Sequence, residues 1–218
     1  MKPTFKLLSI VLSASIFALS SSASASDVKR YDVTITNITH GQTFTPILVA
    51  SHKKGHPLFK LGDAASDELA QVAEGGNTGP LATRLVDYGI AYDTASSGAL
   101  LEPGKSVTVT VNVMDDFKYI SVVSMLIPTN DAFIALNGVR APKHRRTVMV
   151  PAYDAGSELN DESCVNIPGP VCHGEGYNSN TGEGFVHIHP GISGSGDLAT
   201  SVYNWNNPTA KISIKRVK

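Results

Sequence analysis

Residues 31–38 read YDVTITNI, and residues 106–113 read SVTVTVNV. In the first, Val33 and Ile35 fall on the opposite face from Thr34 and Thr36. In the second, Val107, Val109, Val111 and Val113 share one side. β-Branched residues at period two are the pattern of a strand with one dry face and one wet face. Working outward, residues 46–52 (PILVASH) and 119–127 (YISVVSMLI) are apolar nearly throughout, as strands covered on both faces are. Residues 146–150 (RTVMV), 184–189 (GFVHIH) and 210–217 (AKISIKRV) continue the series, with Gly, Pro, Asn and Asp as punctuation. One region differs. Ser66 followed by Asp67 and Glu68 reads as an N-cap and acidic first turn, starting a helix that runs to about Glu74 and stops at Gly75-Gly76. A second short helix is expected from Pro80 to about Asp87. Short strands around one helical insertion predict an all-β fold, an antiparallel β-sandwich with its first and last strands inside the sheets. Residues 157–183 read as a long loop rich in Gly, Asn and Pro. Loops of that length are usually functional or disordered.

The first 25 residues are set apart from this pattern. Lys2 and Lys6 precede an apolar run from Leu7 to Leu19, and Ala23 and Ala25 supply the small-x-small pattern of a cleavage site. This reads as a secretory signal peptide, residues 1–25, leaving 26–218 as one exported domain, periplasmic or secreted. No later segment reaches 18 uninterrupted apolar residues, so no transmembrane segment is expected in the mature chain. Without Lys2 and Lys6 the formal charge moves from −1 to −3. Such a balance gives no electrostatic reason to expect nucleic acid as a partner. The only cysteines, Cys164 and Cys172, close a short loop in the exported portion. Their simplest reading is a disulfide, with two reduced thiols or a shared metal site as alternatives.

Two clusters of side chains carry possible chemistry. Residues 150–162, VPAYDAGSELNDE, place four carboxylates within nine residues directly after a strand. Such a stretch is either a hydrated turn or a grip on a cation, in which Gly156 permits a sharp bend between Asp154 and Glu158. His187 and His189, at period two, would share a strand face with Cα atoms about 6.5–7 Å apart. With His52 as a third ligand they could take zinc or copper; otherwise they hydrogen-bond to loop backbone. No nucleophile elbow, phosphate-binding loop or zinc-protease helix is present: GISGSGD (191–197) follows Pro-Gly, and no helix pattern comes after it. The expectation is therefore a protein that is not an enzyme.

Residues 31–52 (YDVTITNITHGQTFTPILVASH), 124–139 (SMLIPTNDAFIALNGV), 150–162, 182–194 (GEGFVHIHPGISG) and 210–217 together resemble the spondin N-terminal domain family. Its animal members include F-spondin and mindin, and it has a branch of short exported bacterial proteins, which this chain resembles most. The resemblance implies an eight-stranded antiparallel β-sandwich with a calcium ion at one end. It places the ion's ligands on Asp131 of PTNDAF, on Asp154 of YDAGSE, and on Glu158, where the animal members have Asp. It further implies an adhesion or recognition module that binds an extracytoplasmic protein or a surface glycan. Copper or zinc at His52, His187 and His189 is the alternative.

Overall fold

In the computed structural model, which describes residue 1 and residues 27–178 and 181–217, the alternation of residues 31–38 becomes an inside and an outside. Tyr31, Val33 and Ile35 are buried, while Thr34 and Thr36 meet Thr108 and Ser106 hydroxyl to hydroxyl at 2.8 Å on the wetter face. The signal peptide read from residues 1–25 lies, apart from Met1, outside the described residues.

The elements are β1 (Lys29–Asn37), β2 (Thr43–Phe44), β3 (Leu48–His52), α1 (Asp67–Gly75), α2 (Gly79–Asp87), β4 (Ala91–Ser96), β5 (Ser106–Val113) and β6 (Tyr119–Ile127). They continue with β7 (Ala132–Arg140), β8 (Arg145–Val150), β9 (Ala152–Asp154), β10 (His187–Ile188), α3 (Thr200–Tyr203) and β11 (Ala210–Arg216). One sheet has the order β5-β1-β11-β8; the other runs β10-β9-β7-β6-β3-β4, with β2 also pairing to β6. Every pairing is antiparallel. The fold is thus an all-β sandwich. Of the eleven strands among the described residues, eight are five residues or longer; β2, β9 and β10 are two- or three-residue additions. The first and last strands, β1 and β11, are the two central strands of the smaller sheet.

The continuous apolar runs have a direct cause. The larger sheet is covered twice, by the smaller sheet on one face and by α1 and α2 on the other. Its side chains alternate between two cores accordingly. Val49, Ile120, Val122, Leu126, Ile134 and Leu136 join Val33, Val111 and Ile212 between the sheets. Leu48, Ala50, Val123, Phe133 and Ala135 pack under Leu69, Val72, Leu81 and Leu85 of the helices.

The helical insertion begins as its sequence specifies, with the Ser66 side chain accepting a hydrogen bond from Leu69 N at 3.3 Å. At its other end Gly76 sits at φ 65° and donates its N–H to Val72 O. Replacing Ser66 by Ala leaves an N–H of the first turn without a partner. The expected loss is about 1 kcal/mol, measurable as a lower urea midpoint with an unchanged m-value.

Among the described residues no helix is long and apolar enough to cross a membrane. Cys164 and Cys172 are joined in a disulfide, so the two alternatives for that pair are set aside. The bond closes a small ring within residues 155–186, a segment without a strand or helix among its described residues.

Candidate functional site

Strand register builds the site. Asp154, the last residue of β9, pairs with Ala132 on one side and with His187 on the other. Asp131 immediately precedes Ala132, so Asp131, Asp154 and His187 arrive at one end of the larger sheet from three neighbouring strands.

The turn after β9 then folds across this end. Gly156 N donates to Asp154 Oδ1 at 2.7 Å, an Asx-type turn, and Gly156 itself sits at φ 64°, where a side chain is disfavoured. The next two amides, Ser157 N and Glu158 N, donate to Asp131 Oδ2 at 2.9 and 3.1 Å. On the outer side, Gly184 N donates to Gly156 O at 2.8 Å and Gly182 N to Ser157 O at 3.2 Å. That pairing brings Glu183 to the tip.

Asp131 and Asp154 are fully buried, and Glu158 nearly so. Among the described residues no Lys or Arg pairs with any of the three. Asp131 Oδ1 is buried with no hydrogen-bond partner. Burial, and after it the charge of Asp154, push the Asp131 carboxyl up to about 8; Glu183 adds to this, and the two turn amides oppose it. Asp154 is also raised, by burial first, against the pull of Asn160, Gly156 and His187. Another buried carboxylate shows the usual solution. Glu162 accepts Ser193 N at 2.6 Å, Ser193 Oγ at 2.8 Å and Gly194 N at 2.8 Å, so GISGSGD clamps an acid. Asp131 has no such set of donors for its second oxygen.

Glu158 Oε2 is likewise buried with no hydrogen-bond partner, but its carboxylate points elsewhere. Its backbone serves Asp131, but its side chain turns toward α1, where Oε1 accepts Asn178 Nδ2 at 3.0 Å. Asn178 N in turn donates to Glu74 Oε2 at 3.1 Å, so a single asparagine ties two buried carboxylates together. Burial raises Glu158 to about 7, with Glu74 and Asp161 adding to the shift. The expected ligand triad is therefore divided: Asp131 and Asp154 meet, and the Glu158 carboxylate faces Glu74.

The three histidines do not converge. His52 is paired with Tyr119 at the start of β6, whereas Asp131 and Asp154 lie beyond Met125, which pairs with Phe133. Six residues of strand separate these levels, about 20 Å. Both His52 nitrogens are engaged, Nε2 with Ser121 Oγ at 2.8 Å and Nδ1 with Lys53 O at 2.9 Å. His189 N still donates to Ala152 O at 3.1 Å, continuing the register of β10 on β9, and its ring packs at a tilt against Trp205 with centroids 5.0 Å apart. Gly191 N donates to His189 Nδ1 at 2.9 Å, so the ring proton sits on Nε2, which lies 3.3 Å from Asn160 Oδ1. Burial, with His187 nearby, depresses His189 to about 4. Its Nε2 also lies 3.8 Å from Asp154 Oδ2, so it backs that carboxylate as a neutral buttress whose lone pair is taken.

His187 is the exception. Its Nδ1 lies 3.1 Å from Ile188 O, and a carbonyl only accepts, so the proton is on Nδ1. Its Nε2 faces Asp154 Oδ1 at 3.5 Å and Glu183 Oε2 at 4.0 Å. Glu183 escaped the sequence reading because a spacing of four residues outside a helix brings nothing together by itself.

A search of curated proteins finds none that matches. A family model described as Spondin_N matches residues 29–159, more than half of the chain. The matched span opens on β1 and closes one residue past Glu158, so it contains Asp131, the turn over it and Asp154, with the sandwich that positions them. On that match the chain belongs to the spondin N-terminal domain family.

Proposed function

We propose that this chain is an exported, non-enzymatic recognition module whose sandwich tip is braced by calcium held at Asp131 and Asp154. The family is one of extracellular recognition modules; the ion and its ligands are the finer part of the reading. The single observation that carries it is Asp131 Oδ1, a carboxylate oxygen buried without a donor beside a second buried carboxylate. Stripping water from a charge without a partner is costly, and a cation placed between two such groups removes the cost. The donors are of the right kind, because calcium takes carboxylate oxygens. Glu158 supports the arrangement through its backbone N–H, which holds Asp131 in place.

The recognition surface is the loop that this ion would brace. Leu159, Val165, Val171, Tyr177, Phe185 and Ile188 are all exposed and all lie within or next to residues 155–186. Exposed apolar and aromatic side chains in a loop favour a protein partner over a glycan.

Asp131→Asn supplies the test, because it keeps the acceptor for Ser157 N and Glu158 N and removes the charge. In chelator the variant should melt higher than the wild type. In calcium at a hundredfold excess over the dissociation constant, the wild type should gain about 2.7 kcal/mol and the variant nothing, reversing the order. Superimposable wild-type melting curves in calcium and in chelator would refute the reading.

A further inference from the structure

We propose a second cation position beside the calcium position, formed by His187 Nε2, Asp154 Oδ1 and Glu183 Oε2, which takes a first-row transition ion of the zinc class. It draws on the same Asp154 as the calcium reading but on a different set of donors.

Geometry supports it first. The ligand atoms of Asp154, Glu183 and His187 all lie within 4.8 Å of one another, with His187 Nε2 3.5 Å from Asp154 Oδ1 and 4.0 Å from Glu183 Oε2. An ion bound at about 2.0–2.2 Å in tetrahedral geometry sets its ligand atoms about 3.4 Å apart, so only small movements are needed. Nitrogen in the donor set excludes a preference for calcium, which takes oxygen, and one imidazole with two carboxylates suits zinc.

The imidazole is prepared for this role. Its Nδ1–H is directed to Ile188 O, the outer contact that metal-binding histidines usually make, and this turns Nε2 toward the two carboxylates. In the neutral ring, the Nε2 lone pair and two carboxylate oxygens are three donors for one cation. Phe185 packs against the ring, with centroids 5.3 Å apart, and limits its rotation.

The neighbouring strand adds to the negative charge at this tip. Asp131, fully buried and adjacent in register to Asp154, belongs to the calcium position, and Asp154 is the carboxylate that the two positions share. Access is open: the His187 and Glu183 side chains are 27% and 35% exposed, while Asp154 is buried beneath them. The position is thus a cup with a buried floor and a solvent-facing rim, of the kind an exchangeable ion enters. Fewer than four protein ligands leaves a coordination site for water or for a donor group of a bound partner.

The test is calorimetric titration of the purified chain with zinc, in saturating calcium so that the oxygen site is already filled. One zinc per chain is expected, with affinity falling tenfold or more, roughly, in both His187→Ala and Glu183→Gln. Both variants should keep the wild-type rise in melting temperature with calcium. Cobalt in place of zinc should give visible absorption bands that vanish in His187→Ala. Three results would overturn the proposal: no zinc uptake, zinc uptake unaffected by both variants, or loss of the calcium response in His187→Ala. The last would mean one shared ion position. A wild type indifferent to calcium that still binds zinc through His187 would remove the calcium reading and leave this one standing.

Discussion

In chelator, the stability of the chain should fall as pH is raised from 6.5 to 8, and calcium should abolish or reverse the fall. Asp131 carries most of this. Its carboxyl has an ordinary value of 3.8 and is raised to about 8 in the folded chain, first by burial and then by Asp154. A group whose folded-state value is raised keeps its full stability below the unfolded value. It loses that stability as pH climbs through the window up to the folded value. For Asp131 the window runs from 3.8 to about 8, and the whole loss is on the order of 5 kcal/mol. Glu158, raised to about 7, acts in the same direction. His189 acts in the opposite direction: it is depressed to about 4 from 6.5, so folding gains stability between those values as the unfolded chain releases its proton. Above pH 6.5 that contribution is complete and the carboxylates act without it. There Asp131 alone should cost about 2 kcal/mol by pH 8. Calcium binds the ionised carboxylates, so its stabilising effect should grow over the same interval. Thermal melts at pH 6.5, 7.25 and 8, with and without calcium, measure both trends.

Gly156→Ala should be among the most damaging single substitutions in the chain, at about 3 kcal/mol or more, with loss of ion binding. Two costs coincide. At φ 64° an alanine is strained, and its Cβ would collide with Phe185 O and lie 2.7 Å from Phe185 N. These are backbone atoms of a segment tied to the turn through Gly184 N and Gly156 O, so relief requires the two loops to separate. Separation withdraws Glu183 and His187 from Asp154 and frees the amides that hold Asp131. Gly55→Ala is the matched control. It has φ 83° with open space around the added carbon, so it should show the backbone strain alone, about 1 kcal/mol. Urea midpoints of the two variants against the wild type give the comparison. Equal losses would show that the contact with Phe185 is not rigid.

Much of the scaffold could be read from residue patterns because the patterns have single causes. Thr34 and Val33 differ in face, and that difference is a wet and a dry side of one sheet. PILVASH and YISVVSMLI lack alternation because helices cover what would have been the wet face. The α1 boundaries followed from Ser66 and Gly76, whose backbone roles are local. β4 and β7 were not identified. AYDTAS is an edge strand with few β-branched residues, and AFIALNGVR carries Ala, Leu and Gly where a strand signal needs Val and Ile.

The site follows strand register more than spacing along the sequence. Asp131 and Asp154 meet because β7 and β9 pair in register. Glu158 turned elsewhere, because its backbone is fixed by Asp131 and its longer side chain reaches Asn178. Period two puts His187 and His189 on one face, and both rings reach Asp154, Nε2 of His187 at 3.5 Å from Oδ1 and Nε2 of His189 at 3.8 Å from Oδ2; they differ because Gly191 N occupies the His189 Nδ1 lone pair. Glu183 depends on the contact between two loops at Gly156, and no spacing rule encodes that contact.

A crystal structure of residues 26–218 grown at saturating calcium tests the central claim most directly. The account predicts an ion at about 2.3–2.6 Å from both Asp131 Oδ1 and an oxygen of Asp154. An Asp131 carboxyl that contacts only water or a proton-sharing neighbour in those crystals would contradict it.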